Sequence, residues 1–366
     1  MDEKAELEAI LAKAVADDAI SPAQKHFYWM QYQKKKFTFA QIKAELAKKP
    51  RTKREPTVYG AYILKTCLGK GGMGEVFEAY HRQTGAKFAL KKLRAIHGVS
   101  AELEENIRKR FLRECSLQSK LQHPHIVKVF DYGSQGKDLY LVTQLVDGET
   151  VQQLVEREIL WADFYYARYL PILLSQTCAV CDALHYAHSQ GIVHRDINPK
   201  NIMLDKGNLA WIMDFGLAKP LTPEVTKLTK SSELIGTPSY MSPEQWQGNE
   251  IGIASDIYSL GATLYFMVTG HHPQPQDPMA CAYNMINQIP PLPIHTHNPV
   301  VPAPLTQIID QAMAYSPANR FPDMKTMGQT MGRWLAEWQQ QTLSQKVMAG
   351  CTRLLRVFKK PDPGTE

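Results

Sequence analysis

No run of about 18 uninterrupted apolar residues occurs in this 366-residue sequence, so it is expected to contain no membrane-spanning helix. Cysteine is scarce, with six residues scattered through the chain: Cys67, Cys115, Cys178, Cys181, Cys281 and Cys351. No signal-peptide pattern precedes them, and they read as reduced thiols in a cytoplasmic setting, not as a disulfide framework. The pair Cys178 and Cys181 raises a zinc or redox reading, yet no second Cys or His pair follows at zinc spacing. Leu173, Leu174, Cys178, Cys181 and Leu184 fall near helical spacing, which assigns the pair to a helix core. A large charge excess is also missing. The formal net charge is +6 and the basic residues concentrate before residue 56, which points to a basic segment and away from a nucleic-acid-binding body. What remains is an ordinary globular composition, 44% hydrophobic, enough to fill the core of one large or two modest domains.

Against this background one stretch carries chemistry. HRDINPKN occupies 194–201, and DFG follows at 214–216. Asp196 is suited to take a proton from a hydroxyl, while Asn201 and Asp214 offer the hard oxygens that Mg²⁺ prefers. A metal between those two oxygens would sit where the phosphates of ATP need it. Between the motifs, IMLDKGNLAWIM reads as an apolar pair, a Gly207-Asn208 turn and a second apolar run. This is a hairpin, and it brings the two motifs together in space. Upstream, Gly69, Gly71 and Gly74 form G-x-G-x-x-G, with Gly72 in addition. The same spacing opens a dinucleotide-binding fold, but there it must run on into a helix. Here EVFEAYHRQTGAKFALKKL continues as strand, Thr84-Gly85 turn and strand. A glycine-rich hairpin of this kind lets backbone N–H groups approach phosphate oxygens.

The ordered pair of motifs resembles the catalytic segment of the eukaryotic-type protein kinases. GGMGEVFEA, HPHIV, GTPSYMSPEQ and DIYSLG are most similar to the bacterial, Hanks-type branch, with Ser/Thr rather than Tyr specificity. The resemblance implies an α+β, two-lobed fold over 57–338, with a small β-rich lobe at 57–147 and a larger helical lobe at 148–338. It implies ATP and Mg²⁺ as cofactors and a protein hydroxyl as acceptor. Nucleotide-binding residues would be Leu68, Gly69, Lys70, Gly71, Gly72, Met73, Gly74, Val76, Ala89, Lys91, Gln144, Val146 and Met203, with Thr143 as gatekeeper and Gln144 and Val146 offering backbone groups to adenine. Lys91 would hold the α- and β-phosphates and pair with Glu114, on a helix expected over roughly 101–121. Asp196 would act on the acceptor hydroxyl, and Asn201 and Asp214 would bind the metal. In the segment from 214 to 244 lie Thr222, Thr226, Thr229, Ser231, Ser232 and Thr237. Thr229 and Ser231 align best with the phosphosites of bacterial members, and a phosphate there would bind Arg195. Thr237 matches the residue that braces Asp196. The resemblance also assigns His194 to packing with Phe215, Asp256 to support of the HRD backbone and Arg320 to an ion pair with Glu244.

Two departures bear on activity. The family usually has Lys two residues after the catalytic Asp, and this chain has Asn198; a charge lost from a dry phosphate site costs orders of magnitude in rate. The expectation is a slow enzyme that Asn198→Lys would speed up. Gln118 stands where a hydrophobe is usual, one turn after Glu114, which predicts a helix packed less firmly inward. These two residues support a rival reading, a nucleotide-binding pseudokinase that acts as a scaffold or interaction protein. A small-molecule kinase is a third reading, opposed by the peptide-platform character of SPE at 242–244.

The flanks are read separately. Residues 1–47 carry helical periodicity at Leu7, Ile10, Leu11 and Val15, and capping signals at Ser21-Pro22 and at Thr38 with Gln41. They predict a helical module for docking a partner or the kinase body, against the alternative of a loose extension. Residues 48–56 read as a basic linker, with nuclear-localisation or anionic-lipid binding as the other readings. In 339–366, Val347, Leu354, Leu355 and Phe358 lie among Arg353, Arg356, Lys359 and Lys360. That tail is read as packed or frayed, with a membrane-surface helix as the alternative. The protein substrate is not legible, and no nucleic-acid partner is expected.

Overall fold

Period-two alternation from Gly74 to Leu93 gives two strands, β3 (Gly74–His81) and β4 (Lys87–Leu93), joined by a turn in which Gly85 takes φ 67°. They are the centre of a six-stranded sheet completed by β1 (Val58–Tyr59), β2 (Tyr62–Gly71), β5 (Val129–Gln135) and β6 (Asp138–Gln144), in the order β1-β2-β3-β4-β6-β5. In this computed structural model the described residues are 3–16, 20, 22–34, 36–48, 57–71, 74–93, 100–158, 169–215 and 238–340. The chain divides into two units, 1–58 and 59–366.

The first unit holds three helices, α1 (Glu3–Ala16), α2 (Pro22–Gln33) and α3 (Phe39–Lys48). The third begins on a reciprocal capping box, with Gln41 N–H on Thr38 Oγ1 (3.2 Å) and Thr38 N–H on Gln41 Oε1 (2.8 Å). Leu7, Leu11, Ile20, Tyr28, Ile42 and Leu46 close around one another as its core.

In the second unit the helix expected over roughly 101–121 is α4 (Ala101–Gln118), capped by Ser100, whose Oγ accepts the Leu103 N–H at 3.2 Å. After β7 (Gly148–Thr150) and α5 (Val151–Glu158), α6 (Leu170–Ser189) delivers the chain to residue 194. The hairpin between the two motifs is β8 (Ile202–Asp205) and β9 (Ala210–Ile212), antiparallel, in a three-stranded sheet ordered β7-β8-β9. Asp205 Oδ1 accepts the N–H groups of Gly207 (2.8 Å) and Leu209 (2.9 Å) and so shapes the turn. Then come α7 (Pro243–Gln247), α8 (Ile253–Thr269), α9 (Pro278–Ile286), α10 (Ile294–His297), α11 (Ala303–Ala312) and α12 (324–340). A single large core runs through this half, and α8 is its axis, with every residue from Ser255 to Thr269 buried.

Cys178 and Cys181 lie where α12 meets α6. A Cβ added at Gly328 would stand 2.8 Å from Cys181 Cβ, and one at Gly332 would stand 3.8 Å from Cys178 Sγ. Cys181 is in the core and Cys178 packs against it, and burial pushes both thiols up from their ordinary value, as for packing groups. Among the described residues no helix is long and apolar enough to cross a membrane.

Candidate active site

The glycine-rich turn joins β2 to β3. Leu68 is exposed, and a Cβ at Gly69 or Gly71 would meet nothing within 4 Å. Gly74 differs. Its φ is 149°, and an added Cβ would lie 2.0 Å from the Lys92 carbonyl. This glycine is therefore required by the close approach of β4, whereas Gly69 and Gly71 leave open space above the turn. Lys70 pairs with Glu75 across the turn at 2.7 Å. Gly72 and Met73 lie outside the described residues.

On β4, register sets Val76 opposite Lys91 and Ala89 opposite Thr143. Alternation turns Lys92 to the other face, where its ammonium meets Asp138 at 2.8 Å. The Asp138 carboxylate raises the Lys92 pKa, and Tyr59 O–H donates to that carboxylate at 2.6 Å. Gln144 ends β6 with its N–H already given to the Lys128 carbonyl (2.9 Å), and Val146 follows between β6 and β7. Met203 is on β8, opposite Trp211.

The expected ion pair between Lys91 and Glu114 is not formed. Lys91 Nζ lies 2.7 Å from Asp214 Oδ2. Glu114 accepts from Arg110 Nε at 3.0 Å, one turn back on α4, with Arg195 Nη1 at 3.8 Å. The reason is electrostatic: each charge has a nearer opposite partner, and Arg110 is at the i, i+4 spacing that pairs side chains along a helix. Gln118 is buried on the same helix, and its Oε1 has no hydrogen-bond partner. An unsatisfied buried acceptor costs about 1–3 kcal/mol.

The loop 194–201 is braced from below. Asp256, fully buried on α8, accepts the His194 N–H (2.8 Å), the Arg195 N–H (2.7 Å) and the His188 Nε2–H (2.8 Å). Gln245 Nε2 donates to the Arg195 carbonyl at 2.9 Å. These bonds hold Arg195 at φ 67°, a left-handed conformation that a non-glycine residue adopts only when its surroundings impose it. His194 accepts the Asp196 N–H at Nδ1 (3.2 Å), donates from Nε2 to the Met213 carbonyl (2.8 Å) and packs on Phe215 at 4.5 Å between centroids. Burial pushes its pKa down. It is a neutral strut joining the two motifs.

Asn201 Nδ2 donates to the Asp196 carbonyl (2.8 Å) and to its carboxylate Oδ2 (3.1 Å), which leaves the amide oxygen as the group to offer a cation. Asp214 stands at φ 56°, with one carboxylate oxygen on Lys91. One amide oxygen and one carboxylate are a hard-oxygen donor set that fits Mg²⁺, which keeps its other positions for water and phosphate. Asn198 has a second role beside the missing charge. It is only 2% exposed, its Nδ2 donates to the Asp196 carbonyl (3.0 Å), and its Oδ1 accepts the Lys200 N–H (2.9 Å). The side chain closes its own loop instead of facing a phosphate. A lysine here would add charge and lose two bonds, which opposes the gain expected of Asn198→Lys. Asn198→Ala is expected to lower turnover by up to about thirtyfold, the equivalent of two neutral hydrogen bonds of about 1 kcal/mol each, with little change in the KM for ATP; steady-state kinetics would check it.

Glu244, on α7, and Arg320 pair as expected, Arg320 Nη1 to Oε1 at 2.7 Å and Nη2 to Oε2 at 2.8 Å. Thr222, Thr226, Thr229, Ser231, Ser232 and Thr237 lie outside the described residues, as do the tail from 341 and most of the basic stretch, 49–56. Arg110, His188 and Gln245 were not singled out from the sequence. Only Arg110 left a signal there, its spacing of four from Glu114.

A family model described as protein kinase domain matches residues 62–330. The chain belongs to the protein kinase family. Its kinase domain is 34% identical over 280 residues to a probable serine/threonine-protein kinase PknB of Corynebacterium glutamicum, covering 74% of this chain and 42% of the relative. Against the serine/threonine-protein kinase PknB of Mycolicibacterium smegmatis it is 36% identical over 265 residues, covering 71% and 40%. These relatives put the kinase in the bacterial, Hanks-type branch, and the chain spans only about 40% of the length of the curated relatives it matches. The kinase domain of Mycobacterium tuberculosis PknI superposes with a TM-score of 0.60 at 28% identity, covering 77% of this chain and 98% of that one. The α+β, two-lobed kinase fold is thereby established.

Acidification is expected to destabilise this kinase in two stages. Burial depresses the pKa of His194, His272 and His297 below the ordinary 6.5. Below about pH 6.5 the unfolded chain binds protons that the folded one refuses, so stability falls with pH from there. Burial raises Glu244, but hydrogen bonds from Arg320 and Ser255 outweigh it and hold the carboxyl below its ordinary 4.5. Its contribution is present above that value and is lost below it. Melting curves across the two windows would check this, and a flat profile down to about pH 5 would contradict the histidine stage.

Proposed function

We propose that the chain is a Ser/Thr protein kinase that transfers the γ-phosphate of ATP to protein hydroxyls, its own activation segment among them. The observation that carries the reading is the convergence of Asp196, Asn201, Asp214 and Lys91, with Asn201 bonded to Asp196 and Lys91 to Asp214 at 2.7 Å. On this reading Asp196 orients the acceptor hydroxyl and takes its proton as the new phosphorus–oxygen bond forms and the bond to the bridging oxygen breaks, with ADP leaving. Asn201 and Asp214 would hold Mg²⁺, which when bound neutralises charge on the phosphates. Lys91 would neutralise the α- and β-phosphates, and Gln144 and Val146 would offer backbone groups to adenine, from Gln144 the carbonyl, since its N–H is already given to Lys128. Turnover then requires Glu114 to exchange Arg110 and Arg195 for Lys91. A phosphate on Thr229 or Ser231 would favour that exchange by taking Arg195.

The names of the relatives and the presence of Lys91, Asp196, Asn201 and Asp214 at their expected positions disfavour the pseudokinase reading, although Asn198 departs from the usual lysine. The free state of the described thiols, Cys67, Cys115, Cys178, Cys181 and Cys281, supports a reducing, cytoplasmic setting. Residues 1–47 would supply a docking module for a protein partner. The test is incubation with radiolabelled ATP and Mg²⁺, followed by mass spectrometry of the chain. Label on serine or threonine is expected; nucleotide-dependent thermal stabilisation with no label would reject the enzymatic reading.

A further inference from the structure

We infer that Lys200 is a specificity-determining residue that selects acceptor peptides with an acidic side chain close to the phosphorylated Ser or Thr. The inference rests on the protein-kinase reading and deepens it.

From Ile197 to Asn201 the catalytic loop is buried at every position except Lys200, which is exposed. Its backbone is not free to wander. The Lys200 N–H is held by Asn198 Oδ1, Asn198 is tied to the Asp196 carbonyl, and the Pro199 carbonyl accepts the Gln152 N–H of α5 at 3.0 Å. The lysine is thus set at a fixed place relative to the carboxylate that meets the acceptor. Four residues separate the two, a span of at most about 14 Å, or roughly four residues of extended peptide. Among the described residues no carboxylate pairs with its ammonium. Glu156 of α5 accepts from Gln152 Nε2 at 2.7 Å, and His272 Nδ1 meets Tyr240 O–H at 2.8 Å. Burial holds His272 toward its neutral form, so Lys200 is the cation presented there. A peptide laid across Asp196 passes this ammonium, and a carboxylate within four residues of the acceptor gains an ion pair that a neutral residue does not.

The experiment uses the full chain and peptides bearing one threonine in a neutral background, with a single Glu, Gln or Lys scanned through four positions on each side. Glu over Gln is expected to raise kcat/KM about three- to five-fold at one or two positions, the range of an exposed ion pair, through KM, and less so at high salt. In Lys200→Glu the same positions should favour Lys over Glu. Comparing ratios within each protein makes the result independent of any overall loss of rate. Equal preference in the wild type, or an unchanged preference in Lys200→Glu, overturns the inference. Fluorescence anisotropy of the same peptides separates it from the kinase reading. Glu-selective binding reversed by Lys200→Glu, with no peptide phosphorylated, would sustain the recognition and reject the activity; absence of both would reject both.

Discussion

Asp196→Asn is expected to lower phosphoryl transfer by about 10²- to 10⁴-fold, the range for loss of a positioned general base, while leaving nucleotide binding in place. The substitution keeps the shape of the side chain. It also keeps the bonds that fix the loop, because Asn201 and Asn198 both reach the Asp196 backbone carbonyl at 2.8 and 3.0 Å. The Asn201 amide can still donate to the oxygen of the new amide at position 196. Asp256 grips the backbone of the two preceding residues, which the substitution does not touch. The decisive measurement pairs initial rates with melting temperature in the presence and absence of Mg²⁺-ATP. Wild-type rates in the variant would show that another group takes the proton or that the activity is a contaminant's. A lost nucleotide response would show that Asp196 supports the structure.

Arg320→Ala should destabilise the second unit by about 3–5 kcal/mol, the cost of leaving one partner of a buried pair unmatched. The side chain is fully buried and all five of its N–H groups are used, two on Glu244 and one each on the carbonyls of Ala314 (2.8 Å), Ala254 (2.8 Å) and Tyr315 (3.0 Å). Its guanidinium also lies over the Tyr258 ring at 5.0 Å. Removal strands the Glu244 carboxylate with Ser255 Oγ as its remaining partner at 2.7 Å. Thermal unfolding should shift down by roughly 10 °C for a unit of this size. Glu244→Gln should cost less, since an amide oxygen can still accept from the guanidinium. A shift under about 2 °C in Arg320→Ala would mean that the pair is not the anchor its geometry implies.

The parts of the site legible in the sequence are those whose geometry is local. The 194–201 loop, the hairpin between the motifs and the opposite facing of Lys91 and Lys92 depend on turn chemistry and strand alternation, which a reader of the sequence can follow. The helical spacing around Cys178 and Cys181 was enough to place that pair in a core. What was not legible depends on choices between competing partners. Glu114 can pair with Arg110, Arg195 or Lys91; spacing makes Arg110 available, but that Lys91 goes to Asp214 instead depends on long-range geometry that the sequence does not state. Asn198 illustrates the same limit. Its missing charge is visible in the sequence, but its two loop-closing bonds follow from a backbone path that the sequence does not spell out. Gly74 was read as a phosphate-loop glycine, and the structure adds a sheet contact that would exclude any other residue.

The fastening of residues 194 and 195 to Asp256 has a consequence for control. Asp256 belongs to a helix whose residues from Ser255 to Thr269 are all buried, so on the proposed reading the carboxylate of Asp196 is founded on a core element. The side of the site proposed to receive the alcohol is thus braced in advance by Asp256. On that reading, switching would fall to the side that grips the nucleotide, through the re-pairing of Lys91 and Glu114.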